Sequence, residues 1–535
     1  MRPTAARRDL AALLALTALV WASALFGGFV WDDVGQVLEA GFGPSLSWLG
    51  RVFRTDVWTS LENGRPPSGY YRPLFVASLG LDRALWGLSP LGHHAQNLGW
   101  HLLAVAAVWR LGGAVSGPRV GLVAGVIFAL HPLQAEVVAW VSGRADAMVT
   151  AAALGAMAVL LPRPLTPGRA IAGGLLALCG LLTKEIALTA LITFPVWDRV
   201  RHGRLGGWGR YAALAVAGAA WLGLRAQATL AAAPLDERLV DTLKRIPELV
   251  GLYAALVVVP APLSTGRYLD YLSVPLATSL AGTACLFALF AWGLRRAPWV
   301  AVGAGVMAAG AWLPTLIGMT MTRQVGERYA YLPIAALALL VASLLERSGR
   351  RYLPALIAWG LLASALVQAR VLDWRDPVSL TASEVRATPN PYAWHGYGAS
   401  LCADGRPGEA GPWLSKALTA ERPFLLACEH RLQCAVQARG LEDALAAADE
   451  VMAACPATPT SADLTAMVLA RGGRWEEAER AAEVARLSPE TSAWVAVSVA
   501  LARRRGDAAG EASARAAWAG DPAVLDTQVA VLLAP

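Results

Sequence analysis

Apolar runs approaching twenty residues recur along the first two thirds of this chain, separated by short connections that carry arginines. A helix needs about 20 residues to cross a bilayer, and inside hydrocarbon each backbone amide must find its partner within the crossing structure. Such runs leave the chain little choice but a helix bundle. Of 535 residues, 56% are hydrophobic and 16% charged, where a soluble domain has about 25% charged. That balance excludes a purely soluble enzyme, a disordered chain and a small disulfide scaffold.

The runs predict about eleven crossings. They are Leu10–Val30, His93–Leu111, Val120–Leu130, Ala147–Leu161, Ile171–Leu182, Ile186–Trp197, Tyr211–Leu230, Ser279–Leu294, Trp299–Ile317, Tyr331–Leu345 and Leu353–Leu372. Leu249–Val259, fenced by Pro247, Pro260 and Pro262, is too short to cross untilted. The first run follows Arg2, Arg7 and Arg8, as in a signal peptide, but no small-residue cleavage site comes before Trp31. It reads as a retained helix. With the N-terminus inside, Arg110, Arg119, Arg163, Arg169, Arg199, Arg201, Arg204, Arg210, Arg295, Arg296, Arg347, Arg350 and Arg351 all fall in inner connections. An odd number of crossings then sends the C-terminal part outside, to the periplasm if the membrane is a bacterial inner membrane. Because the net charge of +7 is spread as orientation signals, nucleic acid is not an expected partner.

Residues 31–92 form the first outer segment, long enough to carry a site. Within it Leu74–Leu88 is apolar but interrupted by Asp82 and Arg83, which predicts an amphipathic helix lying on the outer surface.

Beyond Leu372 the character changes. Pro423, Pro456, Pro489 and Pro522 recur every 33 residues, as do Gly440, Gly473 and Gly506, with Ala410, Ala444 and Ala478 just past the turns. This period resembles tetratricopeptide repeats, pairs of antiparallel helices that stack into a solenoid and present a concave surface to a peptide or protein. The expected organisation is a membrane domain over 1–372, a linker over 373–390 and about four repeats over 391–535. The fold class is therefore all-α, a polytopic membrane helix bundle followed by a soluble α-solenoid. Cys402, Cys428, Cys434 and Cys455 lie in the repeats. An outer location would allow one or two disulfides, free thiols on helix faces are the alternative, and the four cysteines have three pairings.

Charge at the ends of membrane helices is costly unless it is paired, wet or functional. Six segments bring such charge to the outer side: Asp32 and Asp33; Tyr71 and Arg72; His131 and Glu136; Arg144 and Asp146; Lys184 and Glu185; and Glu327, Arg328 and Tyr329. The Asp pair is either a solvated end to a helix or a general base or cation holder. Lys184, one of three lysines, is an interfacial anchor or a phosphate-binding cation. Arg144 and Asp146 are a salt bridge with Asp146 capping the next helix, or part of a site. His94 and His101 lack a third ligand and read as packed histidines. Zinc-hydrolase, P-loop, nucleophile-elbow and dinucleotide-binding signatures are missing.

The ordered set FVWDD, YYRPL, PLGHHAQN, HPLQAEVVAWVSGRADAM, LLTKE and GERYAYLP resembles the multi-spanning (GT-C type) glycosyltransferases that use polyprenyl-phosphate sugars. It is most similar to the transmembrane, tetratricopeptide-containing O-mannosyltransferases and their bacterial relatives. The resemblance implies inverting transfer of mannose or another hexose from a polyprenyl-phosphate donor to a hydroxyl of a protein or glycan on the outer face. It makes Asp32 or Asp33 the base. It implies that donor phosphate and sugar are held among Arg72, His131, Glu136, Arg144, Asp146, Lys184, Glu185, Arg328 and Tyr329, with the repeats recruiting the acceptor. No metal is implied, though a divalent ion is compatible. An inactive membrane-anchored repeat scaffold for envelope assembly is the competing reading, and a transporter, whose charges should sit at midplane, is a weaker one.

Overall fold

The computed structural model describes residues 3–65, 67, 69–228, 237–438, 440–488 and 493–534. Arg2, Leu230 and Pro489, used above, lie outside them. The chain is all helical, and the described residues contain one isolated β-bridge, between Tyr268 and Gln324, and no strand. It divides into two compact units, Met1–Leu380 and Thr381–Pro535.

The first unit is a multi-pass membrane bundle. Among the described residues seven helices are long and apolar enough to cross: Ala5–Phe26, Pro90–Ser116, Val141–Leu160, Leu276–Arg296, Pro298–Thr322, Glu327–Arg347 and Arg350–Asp373. An eighth is the pair Pro118–Leu130 and Pro132–Ala139, bent by 62° at His131. The break follows from Pro132, whose ring and missing N–H cannot continue the preceding helix. The count is below the eleven expected because short apolar runs do not become full spans. Pro167–Thr183 has 17 residues, and the expected crossing Ile186–Trp197 is two helices, Ile186–Ile192 and Phe194–His202.

The segment expected as an amphipathic surface helix is the helix Pro73–Trp86, and it buries polar side chains together with apolar ones. Its polar Ser78 and Asp82 are buried with Phe75, Val76 and Leu79, while Leu81, Leu85 and Trp86 are exposed. An apolar outer face fits a membrane interface better than water.

Among its described residues the second unit has four helical hairpins, Pro391–Ala403 with Pro407–Leu418, Ala427–Gln437 with Leu441–Ala454, Pro459–Arg471 with Trp475–Ala485 and Ala493–Arg505 with Ala508–Ala516, then the helix Pro522–Leu533. Ala410, Ala444 and Ala478 are buried where paired helices approach. Gly473 and Gly506 turn the chain at φ +76° and +69°, a region that favours glycine. Disulfides join Cys402 to Cys434 and Cys428 to Cys455. Helix Pro377–Ala387 falls within the stretch expected to be linker.

Candidate functional site

The eleven residues Glu136–Asp146 form the centre of the arrangement. They run through a short helix, a 3-10 turn at Val141–Gly143 and the start of the helix Arg144–Leu160. The two helices are joined so tightly at Gly143 that a Cβ there would lie 2.8 Å from the carbonyl of Glu136. From this stretch four side chains reach four separate parts of the chain.

Glu136, fully buried, accepts from the amide of Arg328 at 3.0 Å and from its guanidinium. Ser142 donates to Oδ1 of Asp33 from its amide at 2.8 Å and its hydroxyl at 2.6 Å. Arg144 meets Asp82 at 2.5 Å, with both side chains fully buried, and donates to the carbonyls of Val141 and His93. Asp146 takes Lys184 Nζ at 2.7 Å on both of its oxygens. Arg144 and Asp146 are therefore not partners of each other; each holds a different element. Asp146 does not cap its helix, whose N-cap is Gly143.

The two aspartates after the first helix differ sharply. Asp33 is fully buried, and its second oxygen accepts from the Val30 amide at 3.1 Å. Burial raises its pKa to about 6 against the lowering effect of the Ser142 and Val30 hydrogen bonds. Asp32 is half-buried, and among the described residues no hydrogen-bond donor reaches its carboxylate. Burial raises its pKa too, opposed by the charges of Arg328 and Arg65. The backbone at Trp31 adopts φ +51°, an uncommon region for a residue with a side chain. Its ring packs edge-on against Trp140 and Trp374, with centroids 5.5 and 5.3 Å away.

Arg328 lies over the rings of Trp140 and Tyr329, at 5.2 and 4.8 Å. Its charge acts on Asp32, Tyr70 and Lys184 as well, which ties three of the predicted segments into one neighbourhood. Lys184 is buried, and burial lowers its pKa while Asp146 supports its charge. Arg72 stacks on Tyr70 at 4.5 Å and sits 3.6 Å from Glu185, and its Nε is buried without an acceptor among the described residues. His131 bonds the Val257 carbonyl at 3.0 Å and accepts from the Leu133 amide, holding the bend in its helix. Tyr71 donates to the Phe53 carbonyl. His101 packs between Trp21 and Tyr331, as expected of a core histidine.

Three participants carried no assignment from sequence. Ser142 gave no signal as a lone serine. Arg267 and Arg370 flank the buried Glu327, at 3.9 and 3.3 Å. Arg370 stands at the end of an apolar run, where an arginine is costly enough to have been flagged. Among the described residues no group of three or more His, Cys, Asp or Glu is placed to hold a metal ion.

No family model matches the chain. It is similar to protein O-mannosyl-transferase Tmtc1 of Drosophila melanogaster, 34% identical over 204 residues, which is 37% of this chain and 24% of that protein. Tmtc2 of the same fly is 32% identical over 197 residues, 35% of this chain and 21% of its own. Human TMTC2 is 29% identical over 197 residues, 34% and 23%. The shared stretch spans under a quarter of the curated relatives' length. Among solved structures, ArnT from Cupriavidus metallidurans bound to undecaprenyl phosphate superposes with TM-score 0.41 at 15% identity, covering 90% of this chain and 81% of that one. That likeness is too loose to bear on the site. By sequence, then, about a third of the chain is similar to protein O-mannosyl-transferases.

Proposed function

We propose that this chain is a membrane glycosyltransferase that moves a sugar, mannose or another hexose, from a polyprenyl-phosphate donor to a hydroxyl of a protein or glycan acceptor. The observation that carries the reading is the contrast between the aspartates: Asp32 keeps an uncommitted carboxylate beside the Arg328 cation, while Asp33 is fully engaged. Asp32 takes the acceptor's hydroxyl proton as that oxygen attacks the anomeric carbon. The bond from that carbon to the phosphate oxygen breaks with its electron pair, inverting the centre and releasing polyprenyl phosphate. A lipid phosphate is already a good leaving group, so the protein's task is to neutralise it and align the sugar.

Arg72 and Arg328 are the cations assigned to the phosphate, supported by the loose pairing of Arg72 and its bare Nε. Lys184 and Tyr329 line the same neighbourhood. Glu136, Asp146 and Glu185 hold those cations, and Arg144 and His131 shape the frame. The repeats are assigned to the acceptor. The two disulfides support an oxidising compartment for the repeat unit, and in this reading transfer takes place outside the cytoplasm, in the periplasm if the membrane is a bacterial inner membrane.

The test is transfer of label from polyprenyl-phosphate mannose by membranes containing the full chain. Wild-type protein should label an acceptor and Asp32→Asn should not. Transfer that survives this change at normal expression overturns the assignment, and absence of transfer from any lipid-linked hexose favours the scaffold reading.

A further inference from the structure

Arginines that the sequence spreads over two connections gather in space at the end of the bundle away from Asp32. The helix Arg144–Leu160 starts beside the Arg144–Asp82 and Asp146–Lys184 pairs, and 17 residues carry its far end about 25 Å away. There the Leu161 carbonyl accepts from Arg210 at 3.2 Å and from His202 at 2.9 Å. Asp198, fully buried, takes Arg163 at 3.3 Å, Arg210 at 3.0 Å, the Tyr211 hydroxyl at 2.7 Å and the Gly206 amide. One carboxylate thereby fixes the loop 203–209.

The charge there is far from balanced. Arg163, Arg169, Arg199, Arg201, Arg204 and Arg210 face the single acid Asp198 across residues 161–173 and 194–211. Arg199 is spent on the Trp299 ring at 4.5 Å, and Arg169 on the carbonyls of Val159 and Pro164. The guanidinium groups of the exposed Arg201 and Arg204 have no acceptor among the described residues, and the Nε atoms of Arg163 and Arg210 are buried without one. Between them the fixed loop exposes Leu205 and Trp208, the latter 87% exposed. Large apolar side chains beside unpaired arginines are suited to the boundary between headgroups and acyl chains.

We propose that this end of the bundle binds the phosphate headgroup of an anionic phospholipid, with Arg201 and Arg204 on the phosphate and Leu205 and Trp208 in the acyl boundary. Orientation alone accounts for arginines in a connection. It does not account for a loop pinned by a buried carboxylate so that unpaired guanidinium groups flank two exposed apolar side chains. The site is independent of the transferase reading, and its test does not use transfer activity.

The full-length protein in neutral detergent is titrated with phosphatidylglycerol or phosphatidylcholine, reading bound lipid by native mass spectrometry and Tm in parallel. Phosphatidylglycerol should bind and raise Tm more than phosphatidylcholine. R201A/R204A should weaken phosphatidylglycerol binding by at least about tenfold, the equivalent of about 1.4 kcal/mol. W208S should weaken it as well, giving a reading in a variant that keeps every charge. R350A/R351A, exposed arginines of another connection, should leave binding unchanged. Equal binding of the two lipids, equal loss with both arginine pairs, or the same rise in Tm from inorganic phosphate would each overturn the proposal.

Discussion

Ser142 donates two hydrogen bonds to one oxygen of Asp33, 2.8 Å from its amide and 2.6 Å from its hydroxyl. Two segments 109 residues apart are joined at a fully buried carboxylate. The adjacent Asp32 is held in place by that joint without being consumed by it. The pair read as equivalent in sequence is thus one anchored residue and one available residue.

This division predicts unequal effects of conservative substitution. Asp32→Asn should lower kcat for sugar transfer by about 10²–10⁴, the range for loss of a general base, with Tm unchanged. Asp33→Asn and Ser142→Ala should instead lower Tm, each disturbing a hydrogen bond to a charged group worth about 1.5–3 kcal/mol. Parallel measurement of kcat and Tm separates them, and equal kcat losses for Asp32→Asn and Asp33→Asn would remove the distinction.

The pH dependence follows from burial of the same carboxylates. A base must be ionised to accept a proton, and burial makes both aspartates harder to ionise, Asp33 to about 6. As pH falls from 7, kcat/KM should therefore decline above the range of an ordinary aspartate, because burial raises Asp32 from its usual 3.8. A profile that stays flat until pH 4 contradicts the assignment.

Lys184 and Asp146 form a buried pair, and removing one partner strands the other charge. Lys184→Met alone should cost about 3–5 kcal/mol of stability, whereas K184M/D146L should regain most of it. If Lys184 also faces the donor phosphate, the stable double variant should still transfer poorly. Recovery of both properties would make Lys184 purely structural. The Arg144–Asp82 pair should behave differently: R144M/D82L should recover stability and activity together, because both side chains are fully buried.

The disulfides close intervals of 32 and 27 residues. Each should stabilise the repeat unit by about 3–4 kcal/mol through the entropy of the unfolded chain. Adding reductant to the full-length protein should lower the thermal transition of that unit and leave that of the membrane bundle in place. Mass analysis of peptides under non-reducing conditions checks the pairing directly.

Much of this protein was legible from local pattern. Apolar run length sets the helical class because unbonded amides cannot exist in hydrocarbon. The period of 33 announced the hairpins, since buried alanines and turn glycines must recur with each one. The motifs also brought the charged segments to notice, and five of their members, Asp32, Glu136, Asp146, Lys184 and Tyr329, interact with Arg328.

Pairing was not legible. Adjacent Arg144 and Asp146 look like partners, yet helical geometry points them to different neighbours, Asp82 and Lys184. Asp82 looked like a polar break in a surface helix and is buried. Arginines that seemed scattered converge on Asp198 because the helices bring their connections together. Run length, period and charge scarcity act through near neighbours in the chain, so sequence alone determined the class, the hairpin array and which residues could matter. Which carboxylate is anchored, and which cation each acid holds, depends on contacts between residues tens to hundreds of positions apart, and only the tertiary structure decided them.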